Sequence, residues 1–358
     1  MDSNKKAIPS SKDLISSLPD DLLLHGLTFL TTKEAALTPV LSKRWLNLLQ
    51  SLPILDLDDS LLLNPRKGQR KNGIFRDFVD RLLSRRVKNS SPVTKFSLKC
   101  RQGSVEQDRV IQWIRTVIDL DVLELSLRFD YRIFHLPFNV FTSKTLVNLR
   151  IGTRIFLSQA SSDFVSLMLK SLVLESVSFG DAKLGFKPIL SAFPSLQNLR
   201  IHESKQWFYW NGSISSPTLK KLVYRRDDDS SVPKTCVSFD TRTLVYLDYS
   251  DVVADKYENL HLDSLVEARL DLQLTAKQIM RISAPDNVGF VPGDVTTLFM
   301  GIRYVKILCL TPDALDGLIH YVREGWEEGY RLRISWDDVS DSLSSSANSS
   351  LLLRLNNK

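Results

Sequence analysis

Beyond about residue 52 the apolar and polar positions of the chain settle into one recurring motif, apolar-x-x-apolar-x-apolar. Its first position falls at Leu52, Val93, Val122, Leu146, Leu169, Leu196, Leu219, Leu244, Leu265 and Val305. From Val122 to Leu265 the copies follow one another at 24, 23, 27, 23, 25 and 21 residues, the length of one leucine-rich repeat. Copies such as LVNLRI, LKSLVL, LQNLRI, LKKLVY and LVYLDY each predict a short strand with alternate side chains turned inward. One such strand cannot cover its own apolar face, so neighbours must stack, and the expectation is a curved solenoid. The wider early intervals predict amphipathic helices. IFRDFVDRLLSRRV places Phe75, Phe78, Val79, Leu82 and Leu83 on one side, and DRVIQWIRTVI does the same with Val110, Ile111, Trp113, Ile114 and Val117.

Ahead of the repeats, residues 13–51 read as a small helical unit. Pro19 suits a first helical position, where a fixed φ helps and a missing N–H costs nothing. Asp20 and Asp21 put negative charge at the positive end of the helix, and Leu22, Leu23, Leu27 and Leu30 follow at helical spacing. Thr31 and Glu34 form a candidate capping box for a short second helix, which Pro39 ends by Thr38. Ser42 is the candidate N-cap of a third helix carrying Trp45, Leu46, Leu48 and Leu49 and stopping before Pro53. The other end of the chain changes character. SDSLSSSANSS has too little apolar surface to offset its ordering entropy, so disorder is expected from about Ser340, with LLLRL in a loose tail rather than a binding motif.

Composition removes several functions. The chain has 358 residues, 43% of them hydrophobic and 25% charged, enough for a small module and a larger body. No run approaches the roughly eighteen apolar residues of a membrane span, and MDSNKKAIPSSK lacks a secretory apolar core, so residence in the nucleus or cytoplasm is expected. Cys100, Cys236 and Cys309 lie far apart without CxxC spacing and are expected to be reduced thiols, Cys100 and Cys309 in strand cores. His25, His135, His202, His261 and His320 show no metal-ligand spacing, and GxGxxG, Walker and GxSxG motifs are missing, so neither catalysis nor a cofactor or metal is expected. Asp227, Asp228 and Asp229 lack ordered calcium-loop spacing and read as a solvated loop.

The three-helix stretch LPDDLLLHGLTFLTTKEAALTPVLSKRWLNLLQSLPILDLDD, followed by irregular leucine-rich repeats, resembles the plant F-box and leucine-rich-repeat family. The similarity continues through FVDRLL, SPVTKFSLKC, VLELSLRF, LPFNVFTSKTLVNLRIG and FPSLQNLRI and covers roughly Lys12 to Ile319. It implies a flexible start at 1–12, an α-helical F-box at 13–52, an α/β leucine-rich-repeat solenoid with an irregular, curved parallel sheet at 53–320, and a divergent tail at 321–358. Many members continue into an FBD domain, which is not matched after about Ile319, and an uncapped last repeat would leave Val305, Ile307 and Leu308 poorly protected.

In that family the F-box docks on a Skp-type adaptor that leads to a cullin, while the repeats hold a protein substrate for ubiquitin transfer and the chain itself does no chemistry. Leu18 and Pro19 match the family's adaptor motif, Leu22, Leu27 and Leu30 are shared between core and contact, and Val40, Leu41 and the stem of Arg44 are candidates for an adaptor-facing edge. Trp45 serves that edge, the module core or both. The sequence departs from the pattern at Gly26, where an apolar residue is usual, at Thr31, where proline is common, and at Pro39, which replaces a small polar residue. A second reading is therefore an interaction protein whose F-box no longer engages the adaptor. Trp207, Phe208, Tyr209 and Trp210 would make substrate anchors or would cover the convex side of the solenoid. The cations Arg66, Lys67, Arg70, Lys71, Arg76, Arg81, Arg85, Arg86 and Lys88 read as a flexible loop and the wet face of a helix, or else as a nuclear-localisation or anion-binding patch; nucleic acid is not the expected partner, and neither is a membrane.

Overall fold

The computed structural model describes residues 15, 17–30, 32–35, 38, 42–59, 71–101, 105–130, 133–137, 141–158, 166–179, 187–203, 212–226, 233–282, 295–311 and 351–354. Three helices open it: α1 (Asp20–Thr28), α2 (Thr32–Ala35) and α3 (Lys43–Gln50). Strand β1 (Ile54–Asp58), helix α4 (Lys71–Asn89), β2 (Lys95–Cys100), helix α5 (Gln107–Asp119), β3 (Glu124–Phe129) and β4 (Phe134–Pro137) come next. Then follow β5 (Asn148–Ser158), β6 (Ser171–Phe179), α6 (Lys187–Ala192), β7 (Asn198–Glu203), β8 (Ser213–Ser215), β9 (Lys221–Arg226), β10 (Val237–Asp240) and β11 (Tyr246–Val252). The last elements are β12 (Tyr257–His261), β13 (Glu267–Gln273), α7 (Ala276–Ile282), α8 (Val295–Gly301), β14 (Ile307–Leu310) and β15 (Leu351–Arg354).

Each of the ten repeat motifs is followed, two residues after its first position, by a strand of one sheet ordered β1-β2-β3-β5-β6-β7-β9-β11-β13-β14 and parallel throughout. The register makes two inward ladders. One runs Leu55, Phe96, Leu125, Leu149, Leu172, Leu199, Leu222, Leu247, Ala268, Leu308, and the other Leu57, Leu98, Leu127, Ile151, Leu174, Ile201, Tyr224, Tyr249, Leu270, Leu310, every member buried. Hydroxyls stitch neighbouring repeats together. Thr145, Thr218 and Thr243 each precede a leading leucine and donate to the carbonyl of the residue leading the repeat before, at 3.1, 2.9 and 2.9 Å to Val122, Leu196 and Leu219. The fold is thus the expected leucine-rich-repeat solenoid, with α4 and α5 packing Phe75, Val79, Leu82, Leu83, Val110, Trp113, Ile114 and Val117 into its core. Trp113 Nε1 also donates to Asp80 at 2.7 Å and so ties α5 to α4.

Several features depart from the reading of the sequence. A second, three-stranded parallel sheet of β12, β10 and β8 sits apart from the first, and Gly212 at φ 85 leads into it where an added Cβ would run into the Cys236 carbonyl. Strands β5 and β6 are long, bulged between Gly152 and Ile155, and β4 pairs with the far half of β5. Cys309 is buried but lies on the outward row opposite Arg269, not in the core. Val305 and Leu308 are buried rather than unprotected, and Leu351–Arg354, expected in a loose tail, pairs antiparallel with β14. An open strand edge offers a row of unpaired N–H and C=O groups, which is reason enough for a returning segment to add to it.

Arg86 is the largest departure. It belongs to the cationic run read as wet surface, yet it is 0% exposed. Its guanidinium donates to the carbonyls of Leu52 at 2.6 Å and Leu49 at 3.2 Å, with a longer contact to Pro92 at 3.4 Å. Burial lowers its pKa to about 10, which leaves it charged at neutral pH. The carbonyls at the C-terminal end of α3, the negative end of its dipole, take the place of a carboxylate partner. Arg81, Arg85 and Lys88 on the same helix are exposed, as expected, and Arg76 pairs with Asp77. A second tie joins module and sheet, because the Asp56 N–H donates to the buried Thr32 hydroxyl at 2.7 Å.

Candidate functional site

The helical module has its own small core of Leu23, Leu27, Ala35, Leu48, Leu49 and Leu52, against which Leu24 and Trp45 pack half-buried. Leu27 is 1% exposed and packs in this core. Pro19 sits one place earlier than expected, at the N-cap of α1, where its carbonyl accepts from the Leu23 N–H at 3.2 Å. Ser42 holds the N-cap position of α3, but its side chain makes no capping bond. Thr38 closes the second helix by donating to the Ala35 carbonyl at 2.7 Å. Thr31, Pro39, Val40 and Leu41 lie outside the described residues.

Arg44 explains why cations and a tryptophan stand together in SKRW. Its Nε donates to Asp20 Oδ1 and its Nη2 to the Leu18 carbonyl, both at 2.6 Å. The guanidinium therefore binds α3 to the turn that starts α1, fixing Leu18 and Pro19 in place.

The module turns several large apolar side chains outward among its charged ones. Leu18, Leu22 and Leu30 are exposed, Leu22 at 56%, and so are Ile15 and Phe29, the latter at 77%. Phe29 meets the His25 ring edge-on at 5.0 Å. Leu18, Leu22, His25 and Phe29 follow one another at three or four residues, a second helical stripe beside the buried one. Phe29 and Ile15 were missed in the sequence because the stripe is shared with a histidine and runs past both helix ends; spacing counted from Leu18 would have found them. Gly26 faces open space on the same helix. Gly26→Ala is expected to stabilise the module by about 1 kcal/mol through helix propensity, checked by the shift of its thermal midpoint.

The second candidate surface is the outward face of the sheet. Many of its ions are paired across strands: Lys95 with Glu124 at 3.2 Å, Lys99 with Asp56 at 3.5 Å, Arg225 with Asp248 at 2.8 Å, and Arg150 with Glu175. A cleft of about 670 Å³ lies where this face meets the module, walled by Phe29, Leu30 and Ile54 and floored by Ser97, Ser126, Asn148 and Ser171. Its size is that of a ligand or peptide site. Trp207, Phe208, Tyr209 and Trp210, and Asp227, Asp228 and Asp229, lie outside the described residues.

Ser215, Asp240 and His261 approach one another on the second sheet without forming a nucleophile–base pair. Asp240 stands on the middle strand and takes the Ser215 hydroxyl at 3.1 Å and His261 Nδ1 at 2.9 Å from its two sides, so serine and histidine sit about two strand spacings, roughly 10 Å, apart. Among the described residues no group of three His, Cys, Asp or Glu could hold a metal, and no helix is long and apolar enough to cross a membrane.

No family model matches the chain, and neither does any solved structure. Curated proteins do. F-box protein At3g59150 of Arabidopsis thaliana is 60% identical over 97% of this chain and 85% of its own length. F-box/LRR-repeat protein At4g14103 of the same plant is 39% identical over 87% of this chain and 81% of its own length. F-box/LRR-repeat protein At3g58900, also from Arabidopsis thaliana, is 41% identical over 85% and 95%.

Proposed function

The chain belongs to the F-box/leucine-rich-repeat family, and from that membership we propose that it is the substrate-receiving subunit of a Skp–cullin–F-box ubiquitin ligase. The observation that carries the reading is the module's exposed stripe of Leu18, Leu22 and Phe29, outside a core that Leu23 and Leu27 already fill. Apolar side chains at helical spacing, held by the Arg44 clamp and left in water, suit a groove on an adaptor. The chain contributes no catalytic group in this reading. It raises the effective concentration of a target lysine near a charged conjugating enzyme, which requires that the module and the target surface keep a fixed relation. Arg86 and the Thr32–Asp56 bond hold them in one.

Gly26 favours a second reading, in which the module no longer engages the adaptor. It stands between Leu22 and Leu30 at four-residue spacing, where the stripe lacks a side chain. A pull-down of the full chain with a purified Skp-type adaptor decides between them. Capture is expected, and Leu22→Asp with Phe29→Asp should weaken it by roughly a hundredfold, since buried apolar anchors dominate such interfaces. If the wild type fails and Gly26→Ile binds, the second reading stands.

A further inference from the structure

We propose that the middle of the sheet's outward face is a docking patch for an acidic peptide segment of the target protein. Arg200 is exposed on β7, a central strand, and has no ion pair among the described residues, whereas Arg150 on β5 and Arg225 on β9 are each paired. Its cross-strand partners on the outward row are Val173 and Val223, so neither adjacent strand sets an acid directly opposite it. Lys170 and Lys220 stand exposed on either side of Gln197 at the start of β7, joined through it by backbone bonds, and neither has an ion pair among the described residues. Lys221, opposite Asn198, lies over the Tyr246 ring at 4.4 Å and adds a fourth cation. The acids of these strands do not neutralise them, because Glu175 is taken by Arg150 and Glu203 is buried.

An arginine fork beside the part-exposed Val173 suits a carboxylate next to an aliphatic side chain, with the lysines contributing charge around it. The patch also begins where the cleft ends, since Ser171 and Val173 line the cleft's last strand, so an extended segment could lie in both. Nucleic acid fits poorly. Beyond the patch the face returns to charges already paired, Arg150 with Glu175 and Arg225 with Asp248, which offer a long phosphate backbone no further free cations.

This rests on the reading of the chain as a target-binding subunit, and its test needs no adaptor, so that failure here is separable from failure of the pull-down. Randomised peptides displayed on phage are selected against the full chain, and the recovered sequences are resynthesised for binding by fluorescence anisotropy. Enrichment of Asp and Glu is expected, with affinity falling roughly tenfold in Arg200→Gln and in Lys170→Gln/Lys220→Gln, less in Arg200→Lys, and in every case with added salt. Recovered peptides without acidic residues would overturn the proposal. So would equal binding to Arg200→Gln, or a labelled single-stranded DNA that binds as tightly as the peptides through the same side chains.

Discussion

Arg86→Ala should lower the free energy of unfolding by roughly 3–5 kcal/mol, a very large effect for one residue of a cationic run. The loss has two sources. The fully buried side chain leaves a void between α3, α4 and the first strands, and the carbonyls of Leu49 and Leu52 lose the donors that replace water. Arg86→Met separates the two, since it fills most of the volume and removes only the guanidinium donors, leaving the Leu49 carbonyl with the Leu52 N–H, at a cost of about 2 kcal/mol. Arg86→Lys keeps the charge but brings a single ammonium to carbonyls that the guanidinium spans, and should fall nearest the wild type. Urea denaturation followed by circular dichroism gives the order. The alanine variant should also split the transition in two, because the module and the solenoid would no longer unfold together. A methionine variant as stable as the wild type would show that the carbonyls find other partners and that Arg86 is not what joins the two parts.

Arg86 also shows where a sequence stops being legible. The repeats were readable because their evidence is local: ten leading apolar residues, each two positions before a strand, announce the sheet and its inward ladders. The module's helices were readable for the same reason, from spacing and proline. Long-range polar contacts leave no such period. Arg86 continues the inward stripe of Val79, Leu82 and Leu83, but its charge argues for water until Leu49 and Leu52 are seen beside it. Arg44 reads in sequence as a candidate for a docking edge, and its bonds to Asp20 and the Leu18 carbonyl across 24 and 26 residues left no trace there. Strands as short as FHLP and SIS show no alternation that pattern could catch. The basic patch joins Lys170, Arg200 and Lys220 from three repeats, and only the register of β6, β7 and β9 brings them together.

The pH dependence of stability should turn on Glu203. At the C-terminal ends of β7, β9 and β11, Glu203, Tyr224, Arg226, Tyr249 and Asp251 close around Lys234. Two acids face two cations, but the sharing is unequal. Asp251 takes Lys234, Arg226 at 3.1 Å and the Tyr249 hydroxyl at 3.1 Å, while Glu203 keeps the Tyr224 hydroxyl and has one oxygen with no partner among the described residues. Burial is the largest influence on Glu203 and raises its pKa from 4.5 to about 7, with Lys234 opposing. The folded state therefore holds a proton that the unfolded chain releases. The contribution is fully present below about pH 4.5 and is lost as pH rises to about 7, a fall of roughly 3 kcal/mol, and it stays lost above that. Asp130 acts in the opposite sense and only at the acid end, because burial pushes its pKa up but its bonds to Thr153 and Arg128 and the charges of Arg128 and Arg101 together outweigh that and lower it. Glu203→Gln removes the titrating group and keeps the shape, so it should match the wild type near pH 4.5 and exceed it at pH 8 by up to roughly 3 kcal/mol. Unfolding curves of both proteins at several pH values provide the check. Parallel curves would mean that the Glu203 proton leaves near its ordinary pKa, and that Lys234 reaches this carboxylate as well as Asp251.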